Sequence, residues 1–172
     1  VLSDNQIEDV APLGTIASLT TLYLSRNRVV DFAPLTALAG LQYLGLGQNR
    51  ITTVPPMAGM TSLHELELSY NLITDVGGLA GPSPIAYLHL NDNFISDIRP
   101  LAELTDTVLR LDLSRNLISY LHALAGRKIE SLVLIGNRLR DLEPLLSIEP
   151  RLVNQGYLWL THNPLSPTAQ VG

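Results

Sequence analysis

The sequence predicts an α/β solenoid: a curved stack of about seven short parallel strands on a concave face, backed by 3-10 or irregular turns on a convex face. Three observations predict it. An asparagine returns at Asn5, Asn27, Asn49, Asn71, Asn93, Asn116, Asn137 and Asn163, in steps of 22, 22, 22, 22, 23, 21 and 26 residues. Before each Asn, leucines alternate with polar residues. After each Asn, the apolar period changes from two to about three.

The strand half of each copy reads "LTTLYLSRN", "LQYLGLGQN", "LHELELSYN", "IAYLHLNDN", "VLRLDLSRN", "IESLVLIGN" and, more loosely, "QGYLWLTHN". Alternation such as Leu22 and Leu24 with polar neighbours makes a strand with one buried and one exposed face. The closing Asn is constant within the chain because an amide side chain can both donate and accept. At the bend after the strand, where ladder bonds end, that capacity is needed. Asn27, Asn49, Asn71, Asn93, Asn116, Asn137 and Asn163 are therefore expected to form an internal ladder.

The turn half reads "QIEDVAPL", "RVVDFAPL" and "FISDIRPL" in three of the copies. Ile7, Val10, Leu13 and Ile16 are spaced by three, as are Val29, Phe32, Leu35 and Leu38, which suits 3-10 turns. Proline at positions 12, 34, 56, 100 and 144 suits the first turn of such an element and opposes a long helix. One copy cannot bury its own leucines, whereas stacked copies share a continuous core.

The chain reads as one domain over 1–172, with a partial first repeat at 1–18, repeats over 19–165 and a tail at 166–172. Edits to the pattern fall at Pro82, at the steps into Asn116 and Asn137, and in "LLSIEPRLVNQGYL", where about four added residues are expected to extend a convex helix ending before Pro150. Val1, Leu2 and Ser3 read as the tail of a strand, and neither end shows a polar capping unit. Solenoids need such caps, so either flanking domains or caps are expected outside this chain, or a partner is expected to cover its ends.

Composition narrows the partners. A net charge of −5, from 16 acidic and 11 basic residues with no basic cluster, disfavours nucleic acid and anionic membrane. Zero cysteines exclude disulfides and thiolate chemistry, and no apolar run reaches the roughly 18 residues of a spanning helix. No membrane insertion and no cofactor are expected.

On these motifs the chain resembles leucine-rich repeat proteins of the 22-residue type, as found in bacterial internalin-like surface proteins and in a eukaryotic phosphatase-regulatory protein. The match runs from Leu2 to about Leu165. The resemblance implies a non-catalytic binding module, most often for proteins. The internalin-like relatives imply a secreted or surface protein of a bacterium, the phosphatase-regulatory relatives an intracellular one, and the compartment stays open between them.

The variable positions carry the rest. The third residue of each strand motif reads Thr21, Tyr43, Glu65, Tyr87, Arg110, Ser131 and Tyr157, and the fifth Tyr23, Gly45, Glu67, His89, Asp112, Val133 and Trp159. These point out onto the concave sheet, while the eighth, including Arg26, Tyr70, Asp92 and Arg115, lies at its rim. Six of the nine aromatic residues fall in this set, namely Tyr23, Tyr43, Tyr70, Tyr87, Tyr157 and Trp159. Tyr and Trp give large contact area at low entropy cost and dominate binding hot spots. The alternative is that they shield strands by cross-strand contact.

The expected ligand face thus comprises Tyr23, Tyr43, Glu65, Glu67, Tyr70, Tyr87, His89, Asp92, Arg110, Asp112, Tyr157 and Trp159. Glu67, His89 and Asp112 share one column and could suggest a metal site or a pair of glycosidase carboxylates. A shallow wet sheet offers neither a second shell nor exclusion of water, so they read as a charge ladder with His89 between two carboxylates. No nucleophile elbow, P-loop or dinucleotide fingerprint is present, and no metal site is expected. Recognition of a protein partner is the favoured function, with Tyr43, Tyr87, Tyr157 and Trp159 as anchors. Polysaccharide binding by stacking on the exposed rings is the alternative.

Overall fold

The computed structural model describes residues 1–81, 84–104, 108, 110–147 and 157–166. Seven three-residue strands, β1 (Thr21–Tyr23), β2 (Tyr43–Gly45), β3 (Glu65–Glu67), β4 (Tyr87–His89), β5 (Arg110–Asp112), β6 (Ser131–Val133) and β7 (Tyr157–Trp159), form one open parallel sheet in chain order. Each strand pairs with the next in an unbroken register, so Leu22, Leu44, Leu66, Leu88, Leu111, Leu132 and Leu158 make one column. The ladder continues past the strands: the amide N–H of Leu24 donates to Gly45 and that of Arg26 to Gly47, a pattern repeated along the stack. Leu2 and Asp4 donate in the same way to Tyr23 and Ser25, as expected for the tail of a strand.

The leucine columns and the turn-side Val29, Phe32, Leu35, Ile51, Ile73, Ile95 and Ile118 form one core, most of it fully buried. Burying a Leu or Ile side chain contributes about 1.5–3 kcal/mol, so the core is the main stabilising force. On the opposite side lie short 3-10 turns, at Leu13–Thr15, Ala33–Ala37, Gly77–Leu79, Arg99–Glu103, His122–Leu124 and Glu143–Ser147. Pro34 and Pro100 stand in the first turn of theirs, where a missing N–H is harmless.

The turns have a second determinant, not assigned from the sequence. The carboxylates of Asp9, Asp31, Asp75, Asp97 and Asp141 each accept the backbone N–H two residues on, at 2.7–2.9 Å, opening the turn with an Asx motif. Thr53 replaces this Asp in the third copy, which has no 3-10 turn among the described residues. There the chain lies against the next copy, and a Cβ on Gly78 would collide with the carbonyl oxygens of Pro55 and Val54, so glycine is needed. The convex segment expected to end before Pro150 is a 3-10 turn at Glu143–Ser147; its continuation, Pro82 and most of the insertion before Asn116 lie outside the described residues.

The Asn ladder takes the expected form. In each copy the Asn Oδ1 accepts an N–H from the preceding copy, as from Val29 to Asn49 and from Ile51 to Asn71, and Nδ2 donates to a leucine carbonyl in that copy and to another in its own. Asn27, Asn93, Asn116, Asn137 and Asn163 do the same. Six of these side chains, Asn163 being the exception, are buried, so each replaces backbone hydration that the packed stack excludes.

Candidate functional site

The strand register fixes the outward columns. Thr21, Tyr43, Glu65, Tyr87, Arg110, Ser131 and Tyr157 stand side by side in one, and Tyr23, Gly45, Glu67, His89, Asp112, Val133 and Trp159 in the other. Each third- and fifth-position residue takes the register position that the repeat spacing predicts. The rim residues share a backbone state that the sequence did not announce. Asp4, Arg26, Gln48, Tyr70, Asp92, Arg115 and His162 all have φ between 50° and 60°, the left-handed region, and Gly136 has 68°. A left-handed residue turns the chain sharply into the Asn and throws its own side chain outward along the rim.

At one end of the face the rings of Tyr23 and Tyr43 meet at a centroid distance of 4.7 Å. Tyr43 lies down across β2, so a Cβ on Gly45 would be 3.0 Å from its ring; the small residue makes room for the aromatic. Burial, then the carboxylates of Glu65 and Glu67 and the Tyr23 phenol, push the Tyr43 phenol above its ordinary value. Tyr87 is half-buried, with His64 packed edge-on at 5.2 Å and the Arg110 guanidinium 5.7 Å over its ring. At the other end Tyr157 and Trp159 are 64% and 52% exposed, the most open of the expected aromatics.

The central charges are more committed than their spacing suggests. Glu67 accepts both the backbone N–H and the hydroxyl of Ser69, and Asp112 accepts the same two groups from Ser114. One oxygen of each carboxylate thus closes the end of its own strand and is not free for a ligand. In its column His89 stands between Glu67 and Asp112, and its Nε2 is 3.9 Å from Glu65, on the diagonal of the neighbouring strand. Among the described residues no group of three His, Asp or Glu side chains could hold a metal ion. The rim adds two ion pairs between neighbouring copies, Arg26 with Asp4 and Arg115 with Asp92. Arg115 also reaches Tyr70, and these partners hold its guanidinium more firmly protonated.

The face is therefore two aromatic ends around a centre of partly engaged charges. Aromatic–aromatic, aromatic–imidazole and cation–π contacts already stiffen Tyr23, Tyr43 and Tyr87, while Tyr157 and Trp159 show none among the described residues. No helix of the described residues is long and apolar enough to cross a membrane.

Comparison with known proteins agrees with this architecture. A leucine-rich repeat family model matches residues 17–73. No curated protein matches the chain by sequence. Among solved structures, an internalin of Listeria monocytogenes superposes with a TM-score of 0.82 at 33% identity, over 94% of this chain and 47% of that one, so the chain spans about half of that relative. The internalin C2 of the same organism gives 0.83 at 29% identity, over 97% of this chain and 72% of that one. A Leptospira interrogans leucine-rich repeat protein, with a TM-score of 0.66 at 23% identity over 98% and 50% of the two chains, shares the fold. The repeat motif, the seven-stranded open sheet, the Asn ladder and these likenesses together identify the chain as a leucine-rich repeat protein resembling internalin domains.

Proposed function

We propose that this chain is a non-catalytic recognition module that binds a protein partner on the strand face, anchored by Tyr43, Tyr87, Tyr157 and Trp159. Leucine-rich repeats are in general protein-interaction modules, and this chain shares that fold. The observation that carries the finer reading is the register: six of the nine aromatic residues of the sequence stand on the outward columns or their rim.

Pre-packed rings such as Tyr43 and Tyr87 lose little rotamer freedom on binding, while open rings such as Trp159 gain the most burial. The central charges would then set specificity, since Glu65, Arg110 and the free oxygens of Glu67 and Asp112 penalise a mismatched surface. The resemblance to internalins favours a bacterial secreted or surface setting.

The test compares proteins captured by the immobilised chain and by a Tyr43→Ala/Tyr87→Ala/Trp159→Ala variant, alongside Trp159 emission titrated with soluble polysaccharides. A captured protein lost with the variant supports the reading. A saturable emission shift with a polysaccharide, abolished in Trp159→Ala, would replace protein by carbohydrate as the ligand.

A further inference from the structure

One turn breaks the convex pattern. Four residues after the ladder Asn, five copies carry the Asp that opens the turn, but the copy after Asn116 carries Tyr120. The turn forms regardless, at His122–Leu124, so the ring is not required to build it. Tyr120 is 74% exposed, more than any other aromatic among the described residues.

Two clefts of about 440 and 390 Å³ meet at Tyr120 and His122, which line both, and together they form a trough. In the first, Arg99 is neutralised by Asp97 at 2.6 Å. The second is lined by Ser119, Arg138, Arg140 and Asp141. Arg138 and Arg140 flank the buried Leu139 and are both exposed, and neither forms an ion pair among the described residues. The Asp141 carboxylate is held by the Glu143 N–H at 2.9 Å. A chain of net charge −5 thus presents, beside an open aromatic ring, two guanidiniums against one carboxylate.

We propose that this trough is a second binding site, separate from the strand face, for an extended acidic peptide segment that places a flat side chain on Tyr120 and carboxylates on Arg138 and Arg140. Planar guanidiniums match carboxylates in geometry as well as charge. Neutral sugars fit less well, because both oxygens of Asp97 are engaged by Arg99 and one oxygen of Asp141 by the Glu143 N–H, which leaves few acceptors for their hydroxyls. The trough runs across neighbouring turns, a path that an extended chain can follow.

The experiment is fluorescence anisotropy of a labelled Glu-Glu-Tyr-Glu-Glu peptide at low salt, with the parent chain, Arg138→Gln/Arg140→Gln, Tyr120→Asp and Trp159→Ala. Tyr120→Asp restores the residue that the other turns carry, so its denaturation midpoint should equal or exceed the parent's. Saturable binding to the parent and to Trp159→Ala, weakened at least tenfold in both trough variants, is expected. No saturable binding to the parent, retention by both trough variants, loss only in Trp159→Ala, or equal competition by polygalacturonate would each overturn the proposal.

Discussion

The Oδ1 of Asn71 accepts the backbone N–H of Ile51 at 3.0 Å, from twenty residues earlier in the chain. Its Nδ2 donates to Leu46 in the same earlier copy and to Leu68 in its own. With the Ser69 carbonyl, one side chain thus joins two copies through four backbone groups, three of them buried in a stack that excludes water. Asn71→Ala should cost roughly 1–3 kcal/mol, because a buried donor left without a partner bears its full desolvation penalty. Asn5→Ala, which loses only two exposed local bonds, should stay within about 0.5 kcal/mol. Urea denaturation of both variants checks the contrast; equal midpoints would mean that the ladder does not carry load between copies.

The rim offers a test of opposite sign. Gln48 has φ 55°, yet among the described residues no side-chain bond holds it there. A left-handed conformation costs a residue with a Cβ about 1–2 kcal/mol, against the 0.5–1 kcal/mol that glycine loses in chain entropy. Gln48→Gly should therefore raise stability by a few tenths to about 1 kcal/mol in the same urea assay, whereas the Arg26 and Arg115 positions would lose their ion pairs on such a change.

Asp97 gives a pH dependence of defined direction. The side-chain hydrogen bond from Arg99, aided by the Arg99 N–H, holds its carboxyl below the ordinary 3.8. A lowered folded-state value means that the stabilisation is fully present above the unfolded value and is lost as pH falls from there through the folded value. Carbon-detected NMR titration should show Asp97 titrating below 3.8, and returning toward it in Arg99→Gln.

Tyr43 should behave in the converse way. Burial, and then Glu65 and Glu67, push its phenol above the ordinary 10.0, so the folded state favours the neutral ring. Its contribution is complete below the unfolded value and is lost as pH rises through the folded one. Alkaline difference spectroscopy should find a late-titrating tyrosine that disappears in Tyr43→Phe and moves to lower pH in Glu65→Gln.

Most of the frame was legible because one repeat signal recurs seven times after its first Asn: the Asn spacing fixed the register, and with it every outward column, since a strand alternates its side chains without exception. The engagements of single side chains were less legible. Glu67 and Asp112 look like ligand acceptors until the Ser two residues on is seen to occupy one oxygen, a local pairing that the spacing itself, acid-x-Ser, could have revealed. His89 turned to Glu65 because side chains on a twisted sheet also meet on the diagonal, which column position does not decide. The turn-opening Asp stands in five of the seven copies, and in four of them, at Asp9, Asp31, Asp97 and Asp141, its Asx role could have been read from the Pro three residues later. The left-handed rim had no such mark, because seven of its eight residues are not glycine.

Trp159 separates stability from recognition. It is 52% exposed on β7, so Trp159→Ala should change stability by only about 0.5 kcal/mol, while a Trp anchor in an interface is commonly worth 2 kcal/mol or more. Denaturation and binding of the same variant should therefore disagree.

The measurement closest to the central claim is calorimetry of the leading captured protein against the parent chain and the Tyr43→Ala/Tyr87→Ala/Trp159→Ala variant, with circular dichroism showing that both are folded. Recognition by the strand face predicts a Kd raised at least thirtyfold in the folded variant, about 2 kcal/mol. A Kd unchanged within a factor of two would contradict the claim and place the partner on another surface.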